Sequence, residues 1–215
     1  MRNDVLAPAI EVPVAQAVAE RALDERRAAY ADEVRRLIDA AYTVMRTSGE
    51  IEPRVGDVVR AAGLSNQAFY RHFRSKDELL LAVLTDGRQR LVTTLNARMG
   101  RAERGAPRVA AWIEGVLAQA RNHDAAENTR PFVAHGARIA EAFPSEWARS
   151  REALVAPLRD AVADAGGDVE HDVDAIYDLA FGAMETALLR RVHPSADDVA
   201  HVVRFALRGI GGVDG

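Results

Sequence analysis

The sequence predicts an all-α protein of about nine helices. No segment alternates apolar and polar residues for long enough to form a strand, whereas apolar residues recur at intervals of three and four along most of the chain. Helix-breaking residues separate these segments, at Pro53, Gly63, Pro107, Pro131, Pro144, the Gly166-Gly167 pair and Pro194. We therefore expect helices packed on helices, with no sheet.

The helical segments divide into three parts. Residues 1–30 form an N-terminal extension that is either helical or partly disordered, residues 31–80 a three-helix head, and residues 81–215 a larger helical body. In the head, a helix over 31–47 precedes two short helices at 55–62 and 65–73. A long helix beginning at Ser75 leads into the body, where the predicted helices cover 107–122, 128–141, 145–165, 172–192 and 196–209.

Composition narrows the function classes. The chain has 215 residues, 48% hydrophobic and 28% charged, which is typical of a globular protein. No apolar stretch approaches the roughly 18 residues that span a bilayer, and the acidic, proline-containing N-terminus is unlike a signal peptide. We expect a cytoplasmic protein with no membrane partner. Cysteine is absent, which excludes disulfides and thiolate metal sites.

Positive charge is concentrated in one segment although the net charge is −4. The basic residues between 54 and 76 are Arg54, Arg60, Arg71, Arg74 and Lys76, the chain's single lysine, and they face one acid, Asp57. A local basic face on an acidic protein indicates a confined footprint on phosphates. Taken alone, the same charges would also fit an ordinary solvated helix face.

The sequence around this segment predicts a helix-turn-helix at about residues 54–73. Gly63 can adopt the left-handed conformation that ends one short helix, and Ser65 can cap the next. Leu64 and Phe69 have the spacing of a hydrophobic staple, and Phe73 continues the inward stripe one turn later. Helices this short are stable only when packed on a third helix, so we expect them to lie on the 31–47 helix.

Burial of the two phenylalanines turns a polar set outward, namely Asn66, Gln67, Tyr70, Arg71 and Arg74. The amides match the N6 and N7 edge of adenine, and arginine matches O6 and N7 of guanine. The sequence therefore predicts a recognition helix that enters the major groove of double-stranded DNA. We expect His72, Lys76 and the free N–H group at the helix start to contact the phosphate backbone.

The stretch VGDVVRAAGLSNQAFYRHFRSKDELLLAVL resembles the tetracycline-repressor (TetR) family of bacterial transcriptional regulators. The resemblance implies a homodimer that binds a palindromic operator and a body that binds a small inducer. It assigns DNA contacts to Ser65, Tyr70, His72 and Lys76, and it leaves repression, the commoner role in the family, and activation both open.

Four positions depart from the family pattern, one of which is Gly56, since it stands where a polar or basic residue is common. Arg54 stands where a threonine or serine usually caps the second helix, and we expect it to reach a phosphate instead. Asn66 and Gln67 replace the frequent lysine or glycine-like residues, which changes the expected operator sequence but not the mode of binding.

The body supplies candidates for a dimer face and a pocket. Apolar stripes on the last two helices predict a four-helix dimer contact, with intramolecular core as the alternative; they comprise Val173, Ile176, Tyr177, Ala180, Ala183, Met184, Ala187, Leu188, Val199, Val202, Val203, Ala206, Leu207 and Ile210. The predicted ligand-binding residues are Trp112, Phe132, His135, Arg138, Trp147, Tyr177, Phe181 and Met184. Large rings with few polar groups suit an apolar ligand, although each could equally be a core residue.

Two other function classes were weighed. Asp168 with His171, and Asp198 with His201, have metal-ligand spacing on helices, but a helical metal site needs several inward carboxylates on neighbouring helices. No nucleophile motif accompanies them, so we expect no catalytic residues, metal or cofactor. A DNA-binding or architectural protein without an inducer remains the other alternative.

Overall fold

The computed structural model describes residues 14–48 and 53–210, and this part of the chain contains nine helices and no strand. In chain order they are α1 (Val14–Ser48), α2 (Val55–Ala62), α3 (Asn66–His72), α4 (Lys76–Met99), α5 (Ala106–Arg121), α6 (His123–Ala142), α7 (Pro144–Asp164), α8 (Val169–Arg190) and α9 (Ala196–Ile210). The predicted all-α fold with a helix-turn-helix head is confirmed. Gly49, which follows the predicted 31–47 helix and could end it, lies outside the described residues.

Helix α1 is longer than the 31–47 helix predicted for the head. It begins at Val14, so the part of the extension from Val14 to Tyr30 is helical, which was one of the two alternatives. This segment is almost entirely exposed, and the buried residues of α1 start at Leu37. Its apolar residues are mostly alanines without a continuous stripe, so the sequence did not distinguish a helix from a disordered segment.

The predicted helix break at Pro131 was wrong. Helix α6 begins at His123 and continues through Pro131 to Ala142. Asn122 caps it, because its Oδ1 accepts a hydrogen bond from the Ala125 amide at 3.1 Å. Proline removes one backbone hydrogen bond, but here the helix is already established two turns earlier and packs on five other helices.

Two hydrophobic clusters form the core. The first joins α1, α2, α3 and the start of α4 around Leu37, Val58 and Phe69, and it includes Phe132 and Ile139 of α6. The second joins α4, α5, α7, α8 and α9 around the fully buried Trp112. Helix α4 belongs to both clusters, so the predicted division at residue 80 falls inside a continuous helix.

None of the helices in the described part of the chain is long and apolar enough to cross a membrane.

Candidate nucleic-acid interface and ligand cavity

The turn between α2 and α3 has the geometry that its glycine requires. Gly63 is left-handed, with φ 64° and ψ 36°, and its amide donates to the Arg60 carbonyl at 3.2 Å. The Arg36 guanidinium of α1 donates to the Ala62 carbonyl at 2.6 Å and to the Gly63 carbonyl at 3.2 Å. Arg36 therefore attaches the turn to α1, a role that sequence reasoning missed because the partners are 26 and 27 residues apart.

Helix α3 is fixed by its cap and by two phenylalanines. Ser65 Oγ accepts a hydrogen bond from the Ala68 amide at 3.1 Å, which satisfies one free donor at the helix start. Phe69 is fully buried and Phe73 is 5% exposed, with their ring centroids 5.7 Å apart. One face of α3 is thereby held against the head core.

The opposite face of α3 is exposed. We call its side chains, those of Asn66, Gln67, Tyr70 and Arg71, the recognition surface. Tyr70 is 62% exposed, and its ring meets Phe69 edge-on at 5.2 Å. The surface offers two amides, a phenol and a guanidinium, which are groups that can hydrogen-bond both base edges and phosphates.

The predicted phosphate contacts lie around this surface. Arg54 is exposed and its side chain makes no cap hydrogen bond to α2, which leaves the guanidinium available for other partners. Ser65 is exposed at the start of α3, and Lys76 begins α4 with a partly buried side chain. A DNA contact at each of these positions stays a prediction.

His72 does not fit the expected phosphate contact. Its side chain is fully buried, and Nε2 lies 2.6 Å from Oε2 of Glu33 on α1. The Tyr30 ring packs on the imidazole at a centroid distance of 4.2 Å. His72 therefore ties the recognition helix to α1. Sequence reasoning placed it on the outer edge because these partners lie 39 and 42 residues away.

Glu33 also binds Arg71 of the recognition surface. The Arg71 guanidinium donates to the same Oε2 atom that contacts His72. The hydrogen bonds from His72 and Arg71 lower the pKa of the Glu33 carboxyl from its ordinary value. Glu33 is therefore ionised at neutral pH and holds the side chain of Arg71 by charge-assisted hydrogen bonding.

A cavity of about 680 Å³ lies between the head and the body. Six helices line it: α1, α4, α5, α6, α7 and α8. Apolar walls come from side chains such as Leu91, Phe132, Phe181 and Met184, and its size is within the usual range for small-molecule sites. The head contributes part of the wall through Tyr42 of α1.

Four of the eight predicted ligand-binding residues line this cavity: Phe132, Trp147, Phe181 and Met184. Trp112 does not, because it is fully buried in the body core and its Nε1 donates to the Leu154 carbonyl at 3.0 Å. Tyr177 does not line the cavity either; its ring stacks on the ring of Phe181, with the two centroids 4.3 Å apart. The guanidinium of Arg138 is on the surface, where it binds Asp77. The side chain of His135 lies outside the described residues.

Sequence reasoning missed the charged residues of the cavity wall. Arg88 of α4 lies over the Trp147 ring, with its Cζ 3.8 Å from the ring centroid. Burial lowers the pKa of the Arg88 guanidinium, and burial raises the pKa of the Glu185 carboxyl on α8. The segment TDGRQR around Arg88 has the composition of an exposed helix face, so nothing local marked it.

The apolar stripes on α8 and α9 are mainly intramolecular core. Val173, Ile176, Ala180 and Val199 are each at most 5% exposed within the single chain. For these side chains the alternative of an intramolecular core holds, whereas a dimer contact through the partly buried members of the stripes stays a prediction. The exposed apolar side chains on these helices are not those of the predicted stripes. One of them is Phe205 of α9, which is 64% exposed.

The acid–histidine pairs considered for a metal site serve helix starts. Asp168 caps α8, accepting from the Glu170 amide at 3.0 Å, and its other oxygen lies 2.8 Å from Nδ1 of His171. Asp198 binds the amide and hydroxyl of Ser195. Within the residues that the structure describes, no three histidine or carboxylate side chains are grouped as a metal ligand set.

A short capped helix that presents polar side chains beyond a left-handed glycine turn is the DNA-reading element of helix-turn-helix proteins. Residues 37–83 match the family model for bacterial regulatory proteins of the tetR family. The resemblance to TetR-family transcriptional regulators is therefore confirmed, and the head of this chain is a TetR-family DNA-binding region.

Individual relatives agree. The HTH-type transcriptional regulator BetI of Brucella anthropi is 35% identical over 79 residues, which are 37% of this chain and 41% of BetI. The match thus spans about two fifths of that relative. The transcriptional regulator FadR from Bacillus subtilis, solved in complex with stearoyl-CoA, superposes with a TM-score of 0.64 at 16% identity, over 81% of this chain and 98% of FadR. The reduced form of NemR from E. coli superposes with a TM-score of 0.65 at 18% identity, over 81% of this chain and 95% of NemR. These two structures support the fold.

Proposed function

We propose that this protein is a ligand-responsive transcriptional repressor. It binds a palindromic operator in the cytoplasm through the recognition surface, acts as a homodimer, and is released by a small, largely apolar inducer. Regulators of this family are typically non-enzymatic, and we assign the chain no catalytic role, metal or cofactor.

The observation that carries the proposal is the connection between the cavity and the head. Phe132 belongs to the head core cluster and also lines the cavity. Tyr42 of α1 lines the cavity as well, and its hydroxyl donates to the Val83 carbonyl at 2.8 Å. Its ring packs edge-on against the Phe132 ring, with the two centroids 6.0 Å apart. A ligand that moves these rings would move α1, on which α2 and α3 are packed.

Release then follows from differential binding. The inducer must bind more tightly to a head orientation that no longer fits successive major grooves, because a ligand with equal affinity for both orientations shifts nothing. FadR of Bacillus subtilis, which shares the fold, was solved with stearoyl-CoA bound, and this supports a ligand role for the body.

Dimerisation is expected through α8 and α9, on their outward sides. A seven-residue recognition helix binds weakly alone, and two copies one helical turn of DNA apart would bind the halves of a palindrome. The exposed Phe205 of α9, together with Leu189 at the end of α8 and Val192 just after it, supports a contact there.

Footprinting tests the proposal. Purified protein should protect a near-palindromic site in the DNA beside its gene, and a metabolite that raises the melting temperature should also remove the footprint. Absence of any protected site would reject DNA regulation. A protected site that no stabilising ligand releases would instead favour a regulator or architectural factor without an inducer.

A further inference from the structure

The cavity wall contains one partly buried guanidinium, that of Arg88. Its Nη1 atom is buried and has no hydrogen-bond partner among the described residues. A guanidinium presents its donors in a fixed plane, and a buried donor without an acceptor is costly. Arg88 therefore has a donor that an acceptor group of a ligand could use.

Neighbouring side chains fix this guanidinium without supplying the missing acceptor. The Trp147 ring lies against its face at 3.8 Å, which favours a cation but accepts no hydrogen bond in the guanidinium plane. Glu185 attracts Arg88 electrostatically, yet no hydrogen bond joins them in the described structure. Arg88 is therefore held in one orientation with donor capacity left over.

Several other polar groups of the wall already have partners, whereas the side chains of Gln119, Asn128 and Thr129 add neutral polar groups to the lining. Arg90 Nε lies 2.8 Å from Asp86, and its Nη2 lies 3.6 Å from Asp39, so these charges neutralise one another at the cavity edge. The Tyr42 hydroxyl donates to the Val83 carbonyl. Arg46 lines the cavity as well but is exposed to water.

We propose that the cavity binds a small monocarboxylate with an apolar aliphatic or aromatic body. Its carboxylate pairs with Arg88, and its body packs on Phe132, Phe181 and Met184. This inference rests on the proposed function and names the chemical class of the inducer.

The geometry disfavours the other ligand charges. A cationic ligand would meet Arg88 and find the Trp147 face already covered by that guanidinium. The guanidinium fork matches both carboxylate and phosphate, but the nearby Glu185 would repel a dianionic phosphate monoester more strongly than it repels a monoanion.

Titration calorimetry on the full chain tests the head group directly. Two probe series share a body and differ in charge: decanoate, decanamide and decylamine, and 2-naphthoate, 2-naphthamide and 2-naphthylmethylamine. In at least one series the carboxylate should bind about tenfold or more tightly than the amide, since a hydrogen bond to a charged group is worth at least that factor, and the amine should bind most weakly. Decyl phosphate should bind less tightly than decanoate.

Two variants assign the preference to one side chain. Arg88→Met should reduce the carboxylate-to-amide ratio to about one while leaving amide binding in place, because the apolar wall is retained. Arg90→Met removes an equal charge from a residue that is already paired with Asp86, and the ratio should change by less than about twofold. Circular dichroism checks that both variants fold.

The wild-type series decides the head group even if Arg88→Met misfolds. Equal binding of the three head groups, preference for the amine or the phosphate, or no binding in either series would overturn the proposal, as would an unchanged ratio in a folded Arg88→Met protein. Operator footprints of the same samples, recorded without ligand, separate the two levels. If the wild-type protein gives no footprint, the proposed function as a DNA-binding regulator is rejected. If it gives a footprint but shows no preference for the carboxylate, only the proposed ligand class is rejected.

Discussion

The recognition surface is carried by the seven residues of α3, whereas the cavity is walled by six helices with residues from Asp39 to Glu185. The surface is polar and exposed, and its rigidity comes from Phe69 and Phe73 behind it. The cavity is largely apolar, and its distinctive group is the partly buried guanidinium of Arg88. The two regions meet at α1 and Phe132, which belong to the head core and also line the cavity.

This difference indicates how the two tasks are separated. A base-reading helix needs side chains that can be exchanged without altering the fold, so that operator sequence can change at Asn66 and Gln67 while the head core stays intact. A ligand site needs many helices to close around a guest, so its residues are also packing residues. Changes in the cavity should therefore affect stability more often than changes in the recognition surface.

The largest expected effect separates support from readout within α3. Phe69→Ala should lower the free energy of unfolding by about 3–5 kcal/mol, because the ring is fully buried and a cavity remains, and operator binding should be lost with it. Urea unfolding measures the first effect and fluorescence anisotropy the second.

Tyr70→Ala is the matched control for Phe69→Ala. Tyr70 is the adjacent residue and is 62% exposed, so its removal should change stability by about 0.5 kcal/mol or less while weakening DNA binding. Comparable losses of stability in the two variants would contradict the assignment of opposite faces.

Gln67 tests readout at the level of single bases. Gln67→Ala should cost about 1–3 kcal/mol of specific binding and relax the preference at one operator position, which we expect to be adenine. Anisotropy with the four base variants at each half-site position measures this effect, and unequal losses concentrated at one position are expected. Uniform binding to every variant by both proteins would exclude base contact by Gln67.

The head was predictable because its signals are local. Gly63, Ser65 and Phe69 lie within seven positions, and the turn, the cap and the buried ring each follow from one residue type. The prediction that failed in the head, the exposure of His72, depended on long-range contacts. His72 looked exposed because Glu33 and Tyr30, which bury it, precede it by about 40 residues and lie in the part of α1 whose packing has no periodic signal.

The cavity was only half predictable for the same physical reason. Large aromatic residues mark the interior of a helical body, but whether a ring fills the core, as Trp112 does, or faces a void, as Trp147 does, depends on how the helices pack. Arg88 gave no signal at all, since a single arginine among polar residues is usually solvated. Its burial results from the approach of α7, which brings Trp147 beneath it.

Glu33 should limit the contribution of Arg71 to DNA binding. Glu33→Gln keeps a hydrogen-bond acceptor for His72 but removes the charge that holds Arg71, so non-specific DNA affinity should rise and the slope of log affinity against log salt should steepen by up to about one unit. Asp32→Asn is the matched control, because Asp32 binds Arg35 on α1 itself, and it should leave both quantities nearly unchanged. An equal response in the two variants would point to general charge and not to Arg71.

The same carboxylate predicts a pH dependence. Because the pKa of Glu33 is lowered in the folded protein, its stabilising contribution is fully present above the ordinary glutamate pKa of about 4.3 and is lost as the pH falls through the lowered value. The free energy of unfolding, measured with urea, should therefore fall more steeply with decreasing pH for the wild type than for Glu33→Gln. Parallel curves from neutral pH down to about pH 3 would show that the ion pair contributes nothing to folding.

Lys76 should change the salt dependence of DNA binding in the opposite direction. If its ammonium contacts a phosphate, Lys76→Ala should make the salt slope shallower by about one unit and weaken all DNA sequences equally, because phosphate contacts carry no base information. Helix α4 should still form, since Ser75 caps it through the Glu78 amide at 3.1 Å and does not need the lysine. Combined with Glu33→Gln, the two shifts should cancel, because the variants act on separate phosphates; a double variant with the slope of either single variant would mean that Arg71 and Lys76 share one contact.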